Sequence, residues 1–326
     1  MTLKYITKRL LILIPTFLGI TLFAYLISAL APGSPLDFIF GGEAISEADF
    51  LKYQAQFGLD QAIPIQYLNW LKGFLTGDLG TSYRTSEPVF GMIIDRLIPT
   101  LMVTLTSMIL AIAIAIPLGC LAAVKPYTGW DYITCGLSFL ATSLPNFFVS
   151  MLVIYIFPVK LGLLPSGGMY SSLGSKSLSD VLLHMILPTL VLTLHQIGSL
   201  LRQVRSSMLE TLQEDYIRTA REKGLRETRV IVRHALRNAL IPIATQIGMN
   251  LPFLIGGAVI TEKIFSWPGI GTLLSQSINY RDYPCIMGIT VFIATIVLVG
   301  NFLLDILYYV LDPKLRYQDS GRRKQK

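Results

Sequence analysis

Along the chain, long apolar runs alternate with charged stretches. Six gaps without Asp, Glu, Lys or Arg stand out: Arg9 to Asp37, Arg96 to Lys125, Asp131 to Lys160, Asp180 to Arg202, Arg237 to Glu262, and Asp282 to Asp305. A helix that crosses a bilayer needs about 20 residues free of costly charges. The gaps therefore predict six transmembrane helices, at Leu10–Leu30, Pro99–Val124, Ile133–Phe157, Val181–Leu201, Leu240–Ile260 and Tyr283–Leu311. Pro117, Pro145, Pro188 and Pro252 interrupt four of them, and each removes a backbone hydrogen bond that lipid cannot replace. One such proline is a kink; four together suit a bundle lining a pathway. Gly248, Gly256, Gly257 and Ala258 on the fifth span predict close helix contact.

Between the first two spans, residues 31–97 are too well patterned for a floppy connection. In "ISEADFLKYQAQFGLD", Ser46 caps a short helix that Gly58 ends in the left-handed position. In "IPIQYLNWLKGFLTGDLG", Pro64 sits in a first turn, Gly77 stops the helix, and Tyr67, Trp70, Leu71 and Phe74 make one apolar face. That face should lie on the membrane surface or on the helix bundle. The chain thus divides into an N-terminus (1–9), a first span (10–30), an outer helical loop (31–97), a core (98–311) holding an inner loop (202–239), and a basic tail (312–326).

Composition agrees with the pattern. The 326 residues are 52% hydrophobic, with mean hydropathy +0.58, far more apolar than a soluble domain needs. Of 27 Lys and Arg residues, three, one, nine and six fall in segments on one side, and four, two and two on the other. By the positive-inside rule both termini are cytoplasmic. The net charge of +7 then reports topology in an inner, multi-pass membrane protein and not nucleic-acid binding. Lys4, Lys8 and Arg9 ahead of an apolar run resemble a signal peptide, but the run exceeds a signal's apolar core and Pro32 follows the candidate site, so the first helix is retained. Cys120, Cys135 and Cys285 form no C-x-x-C pair and are packing residues.

The densest charge lies between the fourth and fifth spans, in "DYIRTAREKGLRETRVIVRHALRNALIP" from Asp215 to Pro242. Tyr216, Ala220 and Gly224 recur at i, i+4 and i+8, so a short helix presents one smooth face while Arg218, Arg221, Glu222 and Lys223 decorate the others. Gly224 breaks it, and "RETRVIVRHAL" opens a second amphipathic helix. Such a platform is something a soluble partner can grip.

The segment resembles the cytoplasmic coupling loop of ABC-importer permeases, whose signature is E-A-A, three residues, Gly, nine residues, I-x-L-P. Arg218-Thr219-Ala220 stands at E-A-A, Gly224 at the Gly, and His234-Ala235-Leu236-Arg237 at I-x-L-P, with Arg218 replacing Glu and Arg237 replacing Pro. These departures resemble the branch that imports peptides and nickel, as do "APGSP", "FGLDQAIPIQYLNWL", "GDLGTSY", "DYIRTAREKGL", "RHALRNALIP", "EKIFSWPGIG", "RDYP" and "LDILYYVLDPKLRY". The resemblance implies an all-α integral membrane protein of the type I (MetI-like) permease fold. It implies the permease subunit of a dipeptide or oligopeptide importer, with nickel or sugar import as the alternative. It also implies an ATPase-docking set of Asp215, Tyr216, Ala220, Arg221, Gly224, Leu225, His234, Arg237 and Asn238, the helix near Asp215–Leu225 entering a cleft on the ATPase. The implied partners are a second homologous permease, two ATP-binding subunits, an extracytoplasmic solute-binding protein and the bilayer. No cofactor is held by this chain; ATP and Mg²⁺ belong to the ATPases.

Asn301 and Asp305 share a face of the sixth span, and Asp305 is either a functional carboxylate or a structural bond to a neighbouring helix. His184 and His195, eleven apart, share a face of the fourth, and without an acid there they read as hydrogen-bonded packing rather than a proton relay. The chain has no H-E-x-x-H, G-x-S-x-G or P-loop motif, so ATP hydrolysis is not expected of it. A proton-coupled secondary transporter would need matched midplane charges in two halves, and an intramembrane hydrolase a nucleophile facing a base.

Overall fold

A computed structural model describes residues 3–33, 35–36, 46–171, 177–250, 256 and 258–311, and among these the chain is helical, with one isolated β-bridge between Thr81 and Pro88. It divides into two units: Met1–Thr100 with Pro268–Val299, and Leu101–Trp267 with Gly300–Lys326.

In the first unit, α1 (Leu3–Leu30) carries Pro15 without breaking and leaves most of its leucines and isoleucines exposed. Ser46 Oγ accepts the Asp49 amide at the start of α2 (Glu47–Gln56), as its position predicts. Gly58 (φ +67°) ends it, with the Leu59 amide returning to the Gln54 carbonyl at 2.9 Å. In α3 (Ile63–Leu75), Pro64 occupies the first turn. Its apolar face packs on α1: Phe17 meets Phe74 with ring centres 5.3 Å apart, Thr21 bonds Tyr67 (3.0 Å), and Tyr25 donates to Gln66 (3.0 Å). Ascending numbers on α1 meet descending numbers on α3, so the two run antiparallel.

A tight loop from Thr81 to Pro88 leads into α4 (Val89–Val124). This loop is clasped to the turn between α11 (Ile270–Asn279) and α12 (Tyr283–Leu311): Ser82 Oγ and the Tyr83 amide both donate to buried Asp282, at 2.5 and 3.1 Å. The Thr100 hydroxyl, fully buried, accepts the Ile270 amide at 2.8 Å.

In the second unit, α5 (Gly129–Ser143) and α6 (Asn146–Ile154, continued as a π-turn over Tyr155–Leu161) meet at a 99° bend. The third predicted span, Ile133–Phe157, is therefore broken. Pro145 is the cause: it lacks an amide to continue α5 and forces Leu144 into extended backbone (ψ 128°). Pro188 and Pro117 sit inside unbroken helices, α7 (Leu178–Leu212) and α4, while Pro252 lies outside the described residues.

Helix ends also depart from the charge gaps. α4 starts ten residues before Pro99, and α7 continues past Arg202 for another turn and more, to Leu212. At 1.5 Å per residue each is roughly 50 Å long, well beyond a hydrocarbon core. The fifth predicted span appears as α9 (Arg237–Asn250), with Pro242 inside it, and the short α10 (Val259–Ile264); residues 251–255 and Gly257 between them lie outside the description. Among the described residues four helices, Arg9–Leu30, Val89–Val124, Leu178–Leu212 and Tyr283–Leu304, are long and apolar enough to cross a membrane, five if the bent pair counts as one span.

Small residues set the approach distances here. A Cβ on Gly119 would stand 2.6 Å from Val204, and one on Gly198 would stand 2.7 Å from Thr142 and 2.9 Å from the Ser138 carbonyl. Gly248 lies against Leu304, as the fifth span predicts, whereas a Cβ on Gly256 would meet nothing within 4 Å.

Candidate functional site

α7 carries the chain out of its apolar stretch to Leu212, and after two intervening residues α8 (Asp215–Glu222) begins. Asp215 stands in its first turn, where a carboxylate favours the positive end of the helix dipole. Gly224 (φ +70°) ends it: its amide returns to the Arg221 carbonyl at 2.9 Å and the Leu225 amide to Ala220 at 3.4 Å. Glycine suits this left-handed stop because it has no Cβ to strain. The chain re-enters helix at Glu227–Arg229, widens into a π-turn over Val230–Leu236, and continues as α9. Such widened turns recur at functional positions.

Three contacts fix α8 against this second helix. Ile217 (0% exposed) and Ala220 (7%) enter an apolar cluster with Val204 and Met208 of α7, Val230, Ala235, and Ala239 and Ile243 of α9, and Leu225 packs at its edge. Asn238 donates from one amide to both the Tyr216 hydroxyl (2.8 Å) and the His234 carbonyl (3.1 Å). Arg221 spans the glycine turn to Glu227 with two bonds, 2.8 and 3.2 Å. Those bonds hold the Glu227 carboxyl below the usual range and raise Arg221 above its own.

The nine loop residues therefore lie on one contiguous helix–turn–helix, but not on one surface. Asp215, Tyr216, Arg221, Gly224, Arg237 and Asn238 are exposed, while Leu225 and His234 are half-buried. Ala220 is the correction. Expected to offer a smooth outer face, it is turned into this chain's own core, because the apolar side of α8 is set by Ile217 and Ala220 and not by Tyr216. The outward face is Tyr216, Arg218, Thr219, Glu222 and Lys223.

The other polar candidates separate. Asn301 is exposed on α12, and the Asp305 side chain lies outside the described residues. His184 is buried with Nδ1 2.8 Å from the Asp180 carbonyl and 3.4 Å from its carboxylate, whereas His195 is exposed. An acid thus does stand on that helix, one turn before His184 and one residue before the predicted start of the span, where it also accepts the Ser171 amide and hydroxyl at 2.7 Å each. His184 is satisfied locally, as packing requires.

Sequence reasoning missed one ion pair altogether. Asp131, 4% exposed at the start of α5, takes two bonds from Arg205 of α7 (2.6 and 2.8 Å) and the Tyr127 amide (3.0 Å). It fastens the start of α5 to the extension of α7 that leads to α8. The two residues are 74 apart, and the only hint was an acid in a segment otherwise expected to be basic.

The model of the binding-protein-dependent transport system inner membrane component family matches residues 115–317, and that of its N-terminal region matches residues 2–105. The oligopeptide transport permease AppB of Bacillus subtilis is 43% identical over 96% of this chain and 99% of that protein. The dipeptide permease DppB of Escherichia coli K12 is 39% identical over 97% and 99%, and the glutathione permease GsiC of Salmonella typhi 40% over 97% and 100%. Among solved structures, the inward-facing MetNI methionine ABC transporter superposes with a TM-score of 0.56 at 19% identity, covering 70% of this chain and all of that one. That likeness speaks to the fold alone. The family models and these relatives together place the chain among the inner membrane components of binding-protein-dependent transport systems: it is a permease subunit of an ABC importer, a helical membrane protein whose energy comes from ATPase partners.

Proposed function

We propose that this permease imports short peptides. The observation that carries the reading is the set of relatives, 39–43% identical across nearly the full chain, that bear oligopeptide, dipeptide and glutathione names. In this reading it pairs with a second, different permease, two ATP-binding subunits holding ATP and Mg²⁺, and one extracytoplasmic binding protein. Six spans with both termini cytoplasmic put α8 on the ATPase side. ATP-driven closure of the ATPases then draws the coupling loops together and opens the path outward, and hydrolysis resets it.

The geometry supports α8 as the lever. Its inward residues are bolted to the α7 and α9 core, so a push on its outward face moves both helices rather than bending a loop. In proteoliposomes holding the full complex and its cognate binding protein, ATP-dependent uptake of labelled di- to pentapeptides is expected. Uptake of Ni²⁺ or a sugar, with no peptide uptake, would overturn the substrate class.

A further inference from the structure

Away from the coupling loop, the first unit contains a polar cavity of about 230 Å³. Its floor is the clasp of Ser82 on Asp282, and its rim includes Arg84, Glu87, Arg96 and Tyr280. The loop that presents Arg84 is tightly organised. The Ser82 and Ser86 amides bond within the loop at 2.9 Å each, to the carbonyls of Glu87 and Ser82, and the Arg84 and Thr85 amides both donate to Ser82 Oγ, at 3.2 and 3.1 Å. The Arg84 guanidinium lies 4.0 Å above the Tyr280 ring centre, an arrangement that orients the planar group without using its donors.

Among the described residues neither the Arg84 nor the Arg96 side chain forms a hydrogen bond or an ion pair. The acids that face them are Glu87, exposed on the rim, and Asp282, whose oxygens are occupied by Ser82 Oγ and by the Tyr83 and Cys285 amides. Two guanidinium groups with open donor edges, one held in place by a ring, match a carboxylate, which accepts a planar fork in parallel. Preorganisation lowers the ordering cost of binding.

We propose that this cavity receives an acidic side chain of the extracytoplasmic binding protein when that protein docks. The inference rests on the importer reading for its partner. It rests on the cavity for its chemistry: the walls come from residues 82–96 and 273–282, in segments that the proposed topology puts on the outer side. A pair of like charges at the rim of a polar cavity steers encounter and fixes register between partners.

The test uses the assembled transporter in nanodiscs, titrated with its cognate binding protein, with binding affinity and stimulated ATP hydrolysis as readouts. Arg84→Gln and Arg96→Gln should each raise the half-saturating binding-protein concentration by about tenfold, the scale of one charge-assisted hydrogen bond. The maximal rate at saturating binding protein should hold, and the salt dependence of docking should weaken. Arg84→Lys, which keeps the charge and loses the fork, should fall between, and Lys52→Gln on exposed α2 should match the unmodified protein. Unchanged half-saturation in both Gln variants overturns the proposal. So does a shift confined to the peptide concentration dependence, which would assign the cavity to substrate. A complex that binds its binding protein but responds to no peptide would instead sink the peptide reading, leaving the docking titration interpretable.

Discussion

Gly224 and Ala220, one turn apart in the same motif, are small for different reasons. A Cβ on Gly224 would meet nothing within 4 Å, so its requirement is the left-handed backbone alone, and Gly224→Ala should cost only about 1 kcal/mol of local stability. Ala220 is small because it is buried in the apolar cluster that α8 shares with α7 and α9. Ala220→Arg would bury an uncompensated charge, a penalty on the order of 3 kcal/mol, and should appear as lost folded yield and lowered thermal stability of the detergent-extracted complex. It cannot report on docking. Thr219→Trp can, since Thr219 is exposed on the outward face beside Arg218. That variant should assemble with the second permease yet fail to retain the ATPase subunits on purification. Normal retention would remove α8 from the docking surface.

At the scale of elements, α8 is held at three points, and one of them is the Arg221–Glu227 ion pair. Glu227 is held below its ordinary range by Arg221, so the pair's contribution is present above the unfolded carboxylate's value and is lost as pH falls through the lowered folded value. The sign predicts that acidification loosens the turn between α8 and the next helix. Amide exchange over residues 223–227, corrected for intrinsic rates, should rise from neutral pH toward the acid range, and Glu227→Gln should show the loosened level throughout. Both side chains are about half exposed, so the effect is local rather than global. The break at Pro145 belongs to this scale too. A charge-gap reading sees one apolar run from Asp131 to Lys160, whereas the missing amide and the extended Leu144 divide it into two helices.

Sidedness belongs to the whole molecule. We propose that the segments crowded with basic residues lie on the inside; in this reading the largest outer segment carries eight acids against four bases. In a cysteine-free background, a cysteine at Ser86 should react with an impermeant maleimide added outside, and one at Ser206 only after permeabilisation. External labelling at Ser206 would reverse the topology and take α8 away from any cytoplasmic ATPase.

Much of this was legible in one dimension because it is local chemistry. Ser46, Gly58, Pro64 and Gly224 act through their own backbone or the next few amides, and each stands in the structure where its position in the sequence placed it. Apolar runs of membrane length, the family motifs and the charge asymmetry are also sums over neighbouring residues, and they sufficed for the fold class and the importer family. What the sequence left open depends on residues brought together from far apart. Arg205 meets Asp131 across 74 positions, and Asp282 meets Ser82 across 200, and no spacing rule encodes such a partner. The direction in which Ala220 faces was misread for the same reason. Periodicity marks which residues share a side of a helix, but only the packing of α7 and α9 determines which side is the core.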